Sequence, residues 1–233
     1  PQIEELQWEK LSELEQLMWK MFYSTVWERP PEKLGFLNYL EGICAFRKNE
    51  ALYQETLELL TACLDGISVV GKPLDLEFPC PLDVHCTYTR TQILAALGFV
   101  EDYSISEGVK YLRRKDVDIF FTTLNKANKY YSPTTAYHDY SINEWLFHWQ
   151  SQSTTSEASP TGQRYISRKK GCGYSFLFVR EQKSDRYGAQ PFVFLGPVYY
   201  VKHEGSRPMN ITWRLEQPIP AKFLKKTNKL VVG

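Results

Sequence analysis

Hydrophobic and polar positions follow two different periods along this 233-residue chain, and the change between them divides it. Over residues 2–27, Ile3, Leu6, Leu11, Leu14, Leu17, Met18, Met21 and Phe22 recur at three- and four-residue steps. Glu4, Glu5, Glu9, Glu13 and Glu15 fill the positions between. That spacing predicts an amphipathic helix. Arg29-Pro30-Pro31 ends it, because proline has no N–H to extend the ladder. Residues 33–47 and 50–65 predict two further helices, the second stopped by Gly66. Gly71-Lys72-Pro73 and Pro79-Cys80-Pro81 mark a loop. Residues 88–98 predict a short helix, with a threonine to cap it and Gly98 to close it. A packing role suits such a helix better than entry into a DNA groove.

After Asp116 the period shortens to two. Residues 117–124 are β-branched and aromatic. Over residues 145–153, Phe147, Trp149 and Ser151 alternate with Leu146, His148 and Gln150. Residues 174–181, 192–201 and 210–216 continue the series, each ended by turn residues. The Ser/Thr-rich stretch 151–162 predicts a mobile loop. The fold class expected is α+β. A helical subdomain over residues 1–100 precedes a mainly antiparallel β-barrel or sandwich over 101–233.

Charge separates along the same line. Residues 1–100 hold 8 Lys/Arg against 15 Asp/Glu, a net of −7, and residues 101–233 hold 20 against 12, a net of +8. From Pro160 onward the count is 14 against 4. An acidic helical adaptor joined to a basic, anion-facing β domain fits this asymmetry. Aromatic residues make up 15% of the chain, which suits a pleated core and also supplies rings for base stacking. Five cysteines, an odd number without framework spacing, point to a reducing compartment and hence the cytoplasm. Apolar runs such as Ile119-Phe120-Phe121 are too short to span a bilayer. A start at Pro1 suggests a piece of a larger protein.

Motifs for chemistry are missing. Neither G-x-x-x-x-G-K-[ST] nor G-x-S-x-G occurs. Cys80, His85, Cys86 and Cys172 are the nearest approach to a metal set, but adjacent His85-Cys86 chelates poorly. No catalytic residue, metal or cofactor is therefore expected in this fragment. Two clusters suit binding instead. Arg168-Lys169-Lys170-Gly171-Cys172-Gly173 lies between the strand-like segments 163–167 and 174–181, and so predicts a hairpin tip. With Arg164 on the same hairpin, Arg168, Lys169 and Lys170 are candidates for contacts to DNA phosphates. Lys222, Lys225, Lys226 and Lys229 extend the patch or form a basic tail. The second cluster, residues 129–140, carries Tyr130, Tyr131, Tyr137 and Tyr140 beside Asp139. It reads as a loop folded over the β domain with its hydroxyls tied to backbone. The alternative is a base pocket, in which rings stack and a carboxylate accepts from a cytosine amino group.

A string of separated motifs carries a resemblance. Thr122-Thr123-Leu124-Asn125-Lys126, Tyr131-Ser132-Pro133-Thr134-Thr135, Asp139-Tyr140 and Leu146-Phe147-His148-Trp149-Gln150-Ser151-Gln152-Ser153 come first. Leu177-Phe178-Val179-Arg180-Glu181, Phe194-Leu195-Gly196-Pro197-Val198 and Pro208-Met209-Asn210-Ile211-Thr212-Trp213-Arg214-Leu215 follow in order. Over roughly residues 80–220 the chain resembles the C-terminal domain of unknown function of bacterial superfamily 2 helicases, many of which also carry a phospholipase-D-like nuclease domain. In this family the SauUSI-type type IV restriction enzymes are ATP-dependent and cut DNA containing 5-methylcytosine or 5-hydroxymethylcytosine. The resemblance implies a target-recognition domain, with a β part similar to the modified-base-reading PUA/SRA-like barrels. Its expected partners are duplex DNA with modified cytosine and the parent's helicase and nuclease domains. Hydrolysis belongs to those domains and not to this fragment. Recognition by base flipping makes Tyr131, Tyr137, Asp139 and Trp149 the pocket candidates. The acidic helices would dock on the motor part. A protein-interaction module that fastens a helicase assembly without reading a base is the rival reading.

Overall fold

The computed structural model describes residues 6–67, 71–100, 107–124 and 139–228, with side chains to residue 224. The chain divides into two compact units, Pro1–Ser106 and Glu107–Gly233.

In the first unit, helix α1 (Glu13–Val26) starts later than the periodicity predicts. The reason is local. Ser12 accepts from the Glu15 amide, and the Glu15 carboxylate accepts from the Ser12 amide at 2.8 Å, a capping box that fixes the helix start. Trp8–Lys10 before it is a single 3-10 turn. Helix α2 (Tyr39–Arg47) crosses α1 closely at Gly42, where any Cβ would overlap the Tyr23 ring. Trp27 Nε1 donates to the Gly42 carbonyl at 3.0 Å across the same crossing. Helix α3 (Glu50–Asp65) and the short strand β1 (Thr87–Tyr88) follow. Helix α4 (Arg90–Ala96) opens on a second capping box, Thr89 with Gln92. Its Ile93, Leu94, Ala95 and Ala96 are fully buried and it packs on α1, so it is a core packing helix.

The second unit is built on β2 (Val109–Leu112), β3 (Val117–Thr123), β4 (Tyr140–Ser141), β5 (Leu146–Gln150), β6 (Tyr174–Arg180), β9 (Phe192–Glu204) and β10 (Asn210–Leu215). Their order is β2-β3-β6-β9-β10-β5-β4. Among the described residues this path is open, with β2 and β4 at its ends. The α+β class is as expected, and of the expected barrel or sandwich the described strands form a mixed sheet and not a closed barrel. A small hairpin of β7 (Ser184–Asp185) and β8 (Gly188–Ala189) stands apart. The pairs along this path are antiparallel, in keeping with a mainly antiparallel domain, except that β3 and β6 run parallel, from Val117↔Tyr174 to Thr123↔Arg180. A parallel pair needs a long crossover, and residues 124–173 supply it. The 13-residue β9 pairs with β6 through its first half and with β10 through its second. Gly196, at φ +96°, lies where the β6–β9 register shifts, a bulge position that only glycine fills without strain.

Period-two alternation sets the core. Phe147 and Trp149 of β5, Ile211, Trp213 and Leu215 of β10, and Phe120, Leu177 and Leu195 form one buried cluster with Tyr165. The opposite face of β3, β6 and early β9 carries a second aromatic layer of Phe121, Phe176, Phe178, Phe192 and Phe194.

The segment before β6 is not the predicted hairpin arm. Residues Pro160–Ser167 form helix α5. Ser159 Oγ accepts from the Gly162 amide at 3.0 Å, and Pro160 occupies the first turn, where its missing N–H costs nothing. The Ser/Thr stretch before it is pinned rather than loose. Ser151 exchanges bonds with the Met209 backbone, its amide donating at 2.9 Å and its Oγ accepting at 2.9 Å. Arg207 N donates to the Thr155 carbonyl at 3.2 Å. Gly162 leaves room for the Ser156 carbonyl, which a Cβ would strike. Helix α6 (Ala221–Asn228) closes the described chain, with Phe223 and Leu224 packed on the core.

Candidate nucleic-acid interface

A buried charge clamp joins α5 to the sheet. Asp118, on β3, is fully buried. Arg164 on α5 meets it through both Nε and Nη2 at 3.0–3.1 Å. Arg168, at the α5 C-cap and 3% exposed, reaches the same carboxylate at 2.7 Å. A second fork of Arg168 holds Asp116 at 2.8 and 2.9 Å. Burial works against the charge on Arg168, and its hydrogen bonds to Asp116 and Asp118 more than offset it, so its pKa lies above the ordinary guanidinium value. Hydrogen bonding from Arg168 holds the Asp116 carboxyl below the usual range. The Arg164 guanidinium stacks 3.8 Å from the Tyr111 ring centroid, and the Tyr111 hydroxyl donates to Asp116 at 2.9 Å. Burial, and then the bond to Asp116, pushes that phenol up. Bidentate geometry of this kind needs arginine, since a lysine cannot fork.

The clamp fixes two exposed turns side by side. Residues 113–116 link β2 to β3, and residues 168–173 link α5 to β6. Arg168 Nη1 also donates to the Cys172 carbonyl at 3.3 Å, and Tyr174 N donates to the Asp116 carbonyl at 2.9 Å. Gly173, at φ +65°, is required here, because a Cβ would overlap both Arg168 Nη1 and Asp116 Oδ2. The result is that Arg113 and Arg114 on one turn and Lys169 and Lys170 on the other are all exposed at the same end of the parallel β3/β6 pair. Lys170 is paired loosely with Glu216 at 3.3 Å.

Beyond β6, the face opposite the core turns polar. It carries His148 and Gln150 of β5, Asn210, Thr212 and Arg214 of β10, and Tyr199 and Lys202 of β9, in register. Burial raises the Tyr199 phenol, and its bond to Glu216 adds to the shift. Tyr140 of β4 stacks on His148, with ring centroids 4.7 Å apart and planes 11° apart. Asp139 accepts from the Gln150 amide at 2.9 Å and is 6% exposed. The end of the tyrosine-rich segment is thereby anchored beside this polar face.

The predicted site residues fall into five groups. Lys169 and Lys170 are exposed cations. Arg164 and Arg168 are the clamp, committed to Asp118 and Asp116 rather than presented to phosphates. Trp149 is 4% exposed and lies 4.6 Å from Phe120 in the core, so it offers no face to a base. Tyr131 and Tyr137 lie outside the described residues, while Asp139 is placed at the anchor. Sequence reasoning missed Arg113 and Arg114, although an Arg-Arg-Lys run between two β segments is a visible signal. Among the described residues no group of three His, Cys, Asp or Glu is placed to hold a metal, and no helix is long and apolar enough to cross a membrane.

No curated protein matches the chain. Among solved structures, it is similar to SUVH6 of Arabidopsis thaliana, crystallised in complex with SAM, at 12% identity and a TM-score of 0.38. That superposition covers 94% of this chain and 41% of the other, so the chain spans about two fifths of that protein's length. Similarity this loose carries no site or ligand across. Residues 82–226 match a family described as Domain of unknown function (DUF3427). The matched segment contains α4, the clamp, both basic turns and the whole polar face, and the chain belongs to the DUF3427 family.

Proposed function

We propose that this chain is a DNA-binding target-recognition module. In this reading it recognises 5-methylcytosine or 5-hydroxymethylcytosine in duplex DNA on behalf of an ATP-dependent, SauUSI-type type IV restriction enzyme. It carries no chemistry of its own, and helicase and nuclease domains supply movement and cleavage. The observation that carries the DNA part is the convergence of Arg113, Arg114, Lys169 and Lys170 on two turns locked by one arginine. Four cations held at one sheet end form a surface for phosphates, whose neutralisation releases counterions. The second unit as a whole, residues 107–233, holds 20 Lys/Arg against 10 Asp/Glu.

The modified-base part rests on the ordered motif string and on the tyrosine-rich sequence 129–140, which contains Asp139. A 5-methyl group projects into the major groove, or is read after the nucleotide is flipped into a pocket at a cost of a few kcal/mol. Flipping needs rings and a carboxylate together, and the sequence offers both over residues 129–140. The two parts separate experimentally. Tyr137→Ala should reduce the ratio of methylated to unmethylated duplex binding more than it reduces total binding. Lys169→Ala should weaken both duplexes equally, and fluorescence anisotropy on matched duplexes measures both. An unchanged ratio in Tyr137→Ala removes that tyrosine from the pocket.

A further inference from the structure

Helix α3 (Glu50–Asp65) has no buried residue. Leu52, Leu57, Leu59, Leu60 and Leu64 are all exposed, Leu59 at 64% and Leu64 at 67%. At 100° per residue these leucines fall with Tyr53, Thr56 and Cys63 in one arc of roughly 160°. Glu50, Gln54, Glu55, Glu58 and Asp65 occupy the remainder, with Glu50 and Glu55 on the two rims. A helix of this length stands at the margin of stability by itself, and in a folded chain its apolar stripe is ordinarily its main support. Here the stripe faces solvent for about 24 Å, the length of the helix at 1.5 Å per residue.

Charge decides what fits it. Between Lys48 and Lys72 the sequence has Glu50, Glu55, Glu58 and Asp65 and no Lys or Arg. A second copy of α3 would set acid against acid along both rims. An anionic membrane surface would be repelled for the same reason. We infer that α3 is a docking strip for an amphipathic helix of a partner protein, one whose apolar face is bordered by Lys or Arg. Leucines supply the burial, and the acidic rims set register and exclude like-charged helices. This inference concerns the first unit alone and is independent of the DNA reading.

The test uses the whole 233-residue chain and labelled peptides of helix length. One peptide carries Leu and Lys at helical spacing, one carries the same residues scrambled, and one carries Leu and Glu at helical spacing. Anisotropy at about 150 mM salt, where weak surface charge effects are screened, should show the patterned Leu/Lys peptide binding at least tenfold tighter than either control. The double variant Leu60→Asp/Leu64→Asp should lose at least tenfold of that affinity with its far-UV circular dichroism unchanged. Equal binding of the scrambled peptide, or an unaffected double variant, overturns the inference. A chain that sediments as a dimer and becomes monomeric in the double variant also overturns it, in favour of self-association.

Discussion

Replacing Asp118 with Ala is expected to destabilise the protein by about 3–5 kcal/mol, the largest effect of any single substitution considered. The carboxylate is fully buried and accepts five N–H contacts within 3.2 Å from Arg164 and Arg168. Removing it leaves Arg164 and Arg168 without their shared buried carboxylate, and Arg168, at 3% exposure, keeps a carboxylate partner only in Asp116. The penalty is that of buried positive charge in excess of its counter-charge, two arginines with Asp116 alone, and not merely of a lost bond. In thermal unfolding followed by circular dichroism this corresponds to a drop of roughly 10 °C or more for a domain of this size. Asp118→Asn keeps the shape but not the charge and should fall between. A loss below about 1 kcal/mol, the range of an exposed ion pair, would show that the clamp is not the keystone described.

The second large effect concerns binding. Reversing Arg113, Arg114 and Lys169 together to Glu should lower duplex DNA affinity at least tenfold in low salt. The slope of log affinity against log salt should flatten by about 3, one for each lost phosphate contact. All three side chains are exposed, so the melting temperature should stay near that of the wild type. Contrast with Asp118→Ala is informative. One change removes charge from an intact surface, and the other releases Arg168 and with it the turn that presents Lys169. An unchanged salt slope in the triple variant would place the DNA contacts elsewhere on the molecule.

How far these features were legible in the sequence depends on how local their causes are. The starts of α1 and α4 are written in Ser12…Glu15 and Thr89…Gln92, because a capping box acts over three residues. The alternation in β5 correctly separates Phe147 and Trp149 from His148 and Gln150. It also argues against Trp149 as a stacking residue, since a position in phase with Phe147 belongs to the core. Helix α5 had a local signal too, in Ser159-Pro160, but the basic run after it, with Gly171 and Gly173 to turn it, suggested a hairpin. By contrast, nothing near Arg168 announces Asp118, fifty residues away in sequence. Nor does any short pattern announce that β3 and β6 pair, or that they pair parallel. Two arginines that look like phosphate ligands in a one-dimensional reading become internal counter-ions once the sheet brings acids beneath them.

The decisive measurement is a binding panel with the intact chain on three duplexes of one sequence, carrying cytosine, 5-methylcytosine or 5-hydroxymethylcytosine, each at two salt concentrations. Binding should weaken on all three as salt rises, since phosphate contacts underlie it. At both salts a modified duplex should bind more tightly than the unmodified one. Equal affinity for all three would contradict modified-base recognition and leave only general DNA binding, and no salt-dependent binding to any of them would contradict the DNA reading itself.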